Sequence, residues 1–423
     1  MRVLVIGAGV IGLTTAYFLQ RQGFEVTVVD RETGVGRGAS GGNGAQLSYS
    51  YVAPLAEPSV LAKLPSLLFA RDSPLVFRPR LEPAQWLWGM RFLAAATRER
   101  ARATTAALLK LAFLSRDLIE PLIADEAITC DFKRGGKLVV YPDEASFAAA
   151  RAQVEYQATL GCEQMLLSRE LCVGREPALA GYADRIVGGV WTPSDAAADC
   201  AAFCEQLADR LRDRGVRFEL GREVSSLRAR NGRFEGADVD GGSLAADVCV
   251  LAAGSHAPRL ARDAGLRLPI YPLKGYAITL PVARGAPLPG CSITDIRRKV
   301  VFAPLGARVR VAGFVEMAGH DARIPQARID ALVAAAREVI GLKADLRTEL
   351  QPWCGFRPAT PSGLPIIGAT PVEGLYLNVG HGTLGWTLAA GSAKLLAEVV
   401  AGARSFGTLR APPTIDPRPF AFT

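Results

Sequence analysis

Three glycines near the N-terminus, Gly7, Gly9 and Gly12, stand at the spacing GxGxxG, and an acid, Asp30, follows 18 residues after the last. Between an apolar strand and a helix, that pattern binds the pyrophosphate of a dinucleotide. Gly7 allows the tight turn, Gly9 lets backbone approach the phosphates, and Gly12 lets the helix pack closely on the strand. The helix start at Val10 and Ile11 offers amide donors and partial positive charge. Asp30, with Arg31 beside it, can accept from both ribose hydroxyls and repels a 2′-phosphate. Two further glycine-rich turns fit the same chemistry. Residues 34 to 50 carry Ser40, Asn43 and Gly44, which suit either cofactor contacts or an ordinary loop. Asn378 to Gly385 carries Gly380, His381, Gly382, Thr383 and Leu384, and presents backbone N–H groups where negative charge can be stabilised. A fourth feature, the apolar run Val248 to Leu251, ends in small residues, Ala253 and Gly254 among them, so its end can lie against a cofactor.

The elements that must position these residues follow from hydrophobic period. Arg2 to Ile6 reads as a buried strand, Leu13 to Gln22 as a helix closed by Gly23, and Glu25 to Asp30 as a second strand. This is a βαβ unit, and the chain ends on another strand, glycine turn and helix, about 383 to 400. Between them lie a helical stretch from about 54 to 121 and helices near 143–160 and 205–214. Strands are expected at 133–141, 216–220, 223–228, 234–238, 244–251, 276–280 and 300–314. The class is α/β. A discontinuous Rossmann-like domain takes residues 1–82, 181–262 and 355–423, and an α+β domain with a mixed or antiparallel sheet takes 83–180 and 263–354.

Composition excludes several classes. With 49% hydrophobic and 21% charged residues the chain is neither disordered nor a disulfide scaffold. The net charge of +8 is spread along the chain rather than clustered, which argues against nucleic acid. Eight cysteines show no CxxC pair and no zinc spacing, so no metal is expected and the thiols read as free, in a reducing compartment. The uncharged runs Val3 to Gln20 and Gly374 to Ala393 read as strand–turn–helix units rather than as a signal peptide or a membrane span. A cytoplasmic protein is expected.

The segments VIGAGVIGLTTAYFLQ (5–20), SGGNGAQLS (40–48), YPLKGYAITLP (271–281), GFRPATPSGLPIIG (355–368) and LYLNVGHGTLGWTLAAGSAKLL (375–396) resemble the bacterial D-amino acid dehydrogenases, within the D-amino acid oxidase superfamily of flavoproteins. The resemblance runs over nearly the whole chain. It implies FAD as cofactor and oxidation of a free D-amino acid to an imino acid that hydrolyses to a 2-oxo acid and ammonia. Hydride would pass from Cα to flavin N5, and electrons would go on to a respiratory acceptor, a quinone or an electron-transfer partner. By the same resemblance Arg357 holds the substrate carboxylate, since a guanidinium fork matches it bidentately; failing that, it is an ion-paired structural arginine. Tyr51 and Tyr276 are candidates for a phenol at the substrate, or for core aromatics. His381 sits beside the flavin as a structural histidine or a catalytic base. Cys354 falls one position away from where related enzymes attach flavin covalently, so non-covalent FAD is expected. Residues 297–299, Arg-Arg-Lys, stand where relatives place aromatics that face the substrate, which leaves a cyclic imino acid such as D-proline or hydroxyproline open. The resemblance also admits an oxygen-using oxidase, and a flavin-binding subunit without catalysis of its own. Residues 71 to 102 mix seven arginines and three acids with Phe77, Trp86, Leu87, Trp88 and Phe92. That mixture suits peripheral contact with the cytoplasmic face of a membrane, or a helix packed on the second domain.

Overall fold

Strand Arg2–Ile6 is apolar from Val3 onward because it runs through the middle of a sheet, and Val3 to Ile6 are all buried. The computed structural model describes residues 1–58, 75–282, 288–342, 350–403 and 412–423. Arg2–Ile6 pairs in parallel with Glu25–Asp30 on one side and with Val248–Leu251 on the other. Arg217–Leu220 extends the sheet beyond the first of these, and Leu375–Val379 beyond the second. Ile366–Ala369 closes that edge antiparallel. Strand order therefore reverses at Arg2–Ile6, and a crevice opens at its carboxyl end, where sheets of this class bind ligands. Helices Val10–Arg21, Arg98–Asp125, Cys200–Asp213 and Gly385–Ala403 bury Leu13, Leu109, Phe203 and Leu388 together on one face. A three-stranded antiparallel sheet (Val224–Arg230, Arg233–Val239, Gly242–Leu244) covers the other. Gly382–Ala403 is long and apolar enough to cross a membrane, yet most of it is buried against these helices.

Among the described residues the second sheet has nine strands. From the edge they are Gln351–Ala359, Tyr271–Pro281, Arg308–Met317, Val300–Leu305, Ser292–Asp295, Lys137–Tyr141, Gly188–Thr192 and Met165–Ser168, with Leu75–Phe77 paired to Arg308–Met317. Most pairs are antiparallel; Ser292–Asp295 with Lys137–Tyr141, and Leu75–Phe77 with Arg308–Met317, are parallel. Helix Gln326–Ile340 packs its Ile329, Leu332 and Val339 on one face beside Ile278, Ile293 and Phe302. Residues paired across neighbouring strands point to the same side. Register therefore puts Arg357, Gly275, Arg310, Val301, Ser292 and Lys137 on the opposite face. That face carries the site.

The α/β class, with one mostly parallel and one mixed sheet, is as the sequence implies. The sheets divide the chain differently from the expected boundaries. Leu75–Phe77, Gly188–Thr192 and Gln351–Ala359 belong to the second sheet, and helix Arg98–Asp125 packs in the core of the first. Short strands with no flanking composition change give no local sign of which sheet they join. Two of the stretches expected as strands are each divided. Residues 244–251 hold the end of Gly242–Leu244 and then Val248–Leu251. Residues 300–314 form a hairpin that turns at Gly306.

Candidate functional site

The first half of the site is backbone. Gly7 has φ +114°, and a Cβ there would lie 2.5 Å from the Ala252 carbonyl oxygen. A Cβ at Gly12 would overlap the Gly7 carbonyl. The turn and the close helix packing thus each require glycine. Helix Val10–Arg21 starts at Gly9 with no capping side chain of its own. The Ser40 hydroxyl instead accepts from the Val10 N–H at 3.0 Å, which brings the second glycine-rich loop to the helix N-terminus beside Ile11. Asp30 ends its strand with Oδ2 accepting from the Ala8 N–H at 2.6 Å and Oδ1 from the Glu32 N–H at 2.9 Å. Arg31 reaches across to His256, 3.1 Å from its Nε2, in the turn that begins at Ala253 and Gly254. His256 stacks on His320 with centroids 4.6 Å apart, and burial pushes His256 down to about 4, so both rings are neutral near pH 7.

The third turn completes this half. Gly380 and Gly382 have φ of +82° and +54°. Thr383 and Leu384 lie in the tight turn Gly382–Leu384, which also has no capping side chain and leads into helix Gly385–Ala403. His381 bridges by its backbone to Ala359, two residues beyond Arg357. Its ring is buried, and Nε2 has no hydrogen-bond partner. Burial lowers its pKa to about 3, so it is a neutral ring and not a cationic acid. A buried polar atom without a partner costs free energy unless a ligand satisfies it.

The second half is made of side chains. Arg357 projects from Gln351–Ala359, and its guanidinium lies flat over Gly275, where a Cβ would overlap it. Nη1 donates to the Phe314 carbonyl at 2.9 Å. Among the described residues no carboxylate pairs with Arg357, and desolvation of the guanidinium lowers its pKa to about 10. A desolvated guanidinium without an anion is a receptor for one.

The other expected residues fall in different places. Tyr276 is fully buried, with its hydroxyl donating to Glu316 Oε2 at 3.0 Å. Gly275 faces the site, so alternation turns Tyr276 into the core, where it has no free phenol to offer a substrate. Tyr51 stacks its ring on the Lys137 ammonium, 4.2 Å from Nζ, and is 38% exposed. Asn43 shapes its own turn, Oδ1 accepting from the Ala45 N–H at 2.9 Å, with Ala45 at φ +57°. Gly44 lets that loop sit on Val301, 3.2 Å from where its Cβ would be. Arg298 is held by Asp295 and Glu338 in an ion-pair cluster. Cys354 donates to the Ala322 carbonyl from the face opposite Arg357. Three residues of the face lay outside the expected set. Gly275 makes room for Arg357. Arg310 is buried, with Nη1 donating to the Asn43 carbonyl at 2.9 Å. Lys137 is buried and donates to Gln46 Oε1 and Ser48 Oγ at 3.0 and 2.9 Å. The alternation Arg308-Val309-Arg310-Val311 was the available signal for Arg310, since it puts both arginines on one side of a strand.

The sequence model of the DAO family, described as FAD dependent oxidoreductase, matches residues 2–399. The chain is 46% identical to D-amino acid dehydrogenase 2 of Ralstonia nicotianae, over 100% of this chain and 99% of that protein. It is 43% identical to D-amino acid dehydrogenase 2 of Pseudomonas aeruginosa, over 98% and 96%. Among solved structures it matches glycine oxidase from Geobacillus kaustophilus with a TM-score of 0.77 at 21% identity, over 100% of this chain and 98% of that one. L-proline dehydrogenase from P. horikoshii matches with a TM-score of 0.73 at 19% identity, over 96% and 94%. At these identities the two structures speak to the fold alone.

Proposed function

The chain belongs to the DAO family of FAD-dependent oxidoreductases, and from that premise we propose that it is a D-amino acid dehydrogenase that oxidatively deaminates free D-amino acids to 2-oxo acids and ammonia. The observation that carries this reading is Arg357, a desolvated cation without an anion, close to the His381 turn through the bridge between Ala359 and His381.

The residues fit FAD. The Val10–Arg21 helix start has no capping side chain of its own and the Gly382–Leu384 turn has none, Asp30 ends its strand beside the glycine turn, and among the described residues the buried His381 Nε2 lacks a partner. Asp30 and Arg31 would hold the adenosine end, Gly7 to Gly12 with Ser40 the pyrophosphate, and Gly380 to Leu384 the flavin edge. FAD bound there would supply the hydride acceptor for oxidation at the substrate Cα. The work left to the protein is positioning. Arg357 takes the carboxylate in two parallel hydrogen bonds, and its bond to the Phe314 carbonyl fixes the plane of the fork. Desolvation around Arg357 and His381 disfavours a charged ammonium, which favours the neutral amine needed for oxidation. Non-covalent FAD is part of the proposal, because Cys354 points away from Arg357; yellow colour that stayed with acid-precipitated protein would contradict it.

The electron acceptor is proposed to be respiratory, reached at the cytoplasmic face of a membrane. Helix Pro83–Ala95 buries Gln85 and Trp88 against the second sheet, and Trp88 Nε1 donates to the Ala359 carbonyl at 2.7 Å. It exposes Trp86, Leu87, Met90 and Leu93 on its other side, with Arg91 among them. Residues 71–74 of the basic, aromatic stretch lie outside the described residues. Purified protein should be yellow and should bleach anaerobically with D-alanine or D-proline but not with the L-enantiomers. Turnover should need an added quinone or dye. Steady hydrogen peroxide production in air would make it an oxidase, and failure to bleach with any D-amino or imino acid would overturn the reading.

A further inference from the structure

On the reading that residues 40–45 form the cofactor loop, we infer that Arg310 and Lys137 are positioning residues that clamp this loop and the segment after it onto the second sheet, and so set how tightly FAD is held. The loop builds little structure of its own. The first strand after it, Gln46–Leu47, has two residues and pairs with Ala196–Ala197. Ala45 sits in the left-handed region, which costs a residue with a Cβ free energy that its surroundings must offset. The surroundings come from the second sheet, far away in sequence.

Arg310 is 6% exposed; Nε donates to Thr279 Oγ1 at 2.7 Å and Nη1 to the Asn43 carbonyl at 2.9 Å. Its nearest carboxylate, Asp199, is 4.0 Å away and shares that oxygen with Arg308 at 3.0 Å. Lys137 is 2% exposed, and its two hydrogen bonds go to Gln46 Oε1 and Ser48 Oγ. A desolvated cation is expensive; the charge of Asp195 offsets part of that cost for Lys137, and three of the four hydrogen-bond acceptors of the two cations are supplied by residues 43 to 48. Pulling the loop off the sheet would leave both cations short of acceptors. The loop therefore holds one register, and that register delivers the Ser40 hydroxyl to Val10 at the start of the dinucleotide helix. The sheet that carries Arg357 thus also controls the cofactor side of the site.

The test is FAD affinity of the full-length apoprotein, read by quenching of flavin fluorescence, with apoprotein melting followed by circular dichroism. Arg310→Met should raise the FAD dissociation constant about tenfold or more, and Arg310→Lys should recover part of that loss. Lys137→Met and Gln46→Met should each raise it several-fold, and the double variant should do no worse than the poorer single one. That cycle decides the matter if Arg310→Met fails to fold. Unchanged FAD affinity in variants whose apoprotein melts lower would mean a structural role only, and additive effects of Lys137→Met and Gln46→Met would mean no clamp. Either result overturns the inference. Failure of the unsubstituted chain to bind FAD would instead overturn the cofactor reading on which it rests.

Discussion

The crevice of the parallel sheet and the inner face of the second sheet serve one site by opposite means. The crevice works through backbone. Its glycines remove side chains so that backbone amides at the start of the Val10–Arg21 helix and at Gly382 and Thr383 can face a large anionic cofactor, while Val10 itself donates to Ser40. The inner face works through side chains. Arg357, Arg310 and Lys137 come from three strands, and their positions depend on register across the sheet. A backbone site needs a local pattern and tolerates variation around it. A side-chain site needs no local pattern, but fails when a neighbour shifts by an ångström. The two regions should therefore separate cleanly under mutation.

The largest separation is expected from Gly12→Ala. Its Cβ would overlap the Gly7 carbonyl, so the helix must move off the strand and FAD should be lost from the purified protein, at a stability cost of about 1–3 kcal/mol. Retention of full yellow colour would break the comparison at once. Gly275→Ala should do the reverse. FAD content should be normal, while the displaced Arg357 guanidinium raises the KM for a D-amino acid about ten- to a hundredfold. An effect on FAD content alone would put Gly275 on the wrong side of the division. Asp30→Ala should weaken FAD about tenfold in a fluorescence titration and leave the KM of the loaded enzyme unchanged.

A further effect is one of pH. Burial lowers the pKa of His381 to about 3 from an unfolded value of about 6.5. Between those values the unfolded chain binds a proton that the folded chain does not. Stability conferred by the neutral ring is therefore complete above pH 6.5 and is lost as pH falls, by at most about 1.4 kcal/mol per pH unit. His256, held to about 4, contributes in the same window. Urea denaturation of the apoprotein at pH 7 and pH 5 should show a smaller drop in His381→Gln than in the unsubstituted chain; an equal drop would mean that the ring is not buried in the neutral form.

The same contrast explains what is legible in the sequence. Arg2–Ile6 and Glu25–Asp30 were legible to the residue because an apolar run, three glycines and an acid at fixed offsets leave few other structures. The Gly380 turn was legible for the same reason. Arg357 emerged from the resemblance of its flanking residues and not from its own chemistry, since it is one arginine among many. Gly275 lies in YPLKGYAI, a run that reads as strand and conceals that one glycine must face a guanidinium. Tyr276 beside it looked like a substrate phenol, and the pleat sends it to Glu316 instead. Lys137 follows two glycines and looks like a solvated turn residue; only pairing with Ser292 and Thr192 buries it. Long-range register carried the missing information, and nothing local encodes it.

The central claim is that Arg357 is the carboxylate receptor of a flavin-dependent D-amino acid dehydrogenase. The most direct measurement is the rate of anaerobic flavin reduction against D-alanine concentration, for the unsubstituted chain and for Arg357→Met carrying the same amount of FAD. The expected result is saturable reduction in the first, and in the second a second-order rate lower by about two to three orders of magnitude with FAD affinity unchanged. Equal rates in the two proteins, or no reduction by a D-amino acid in either, would contradict the account.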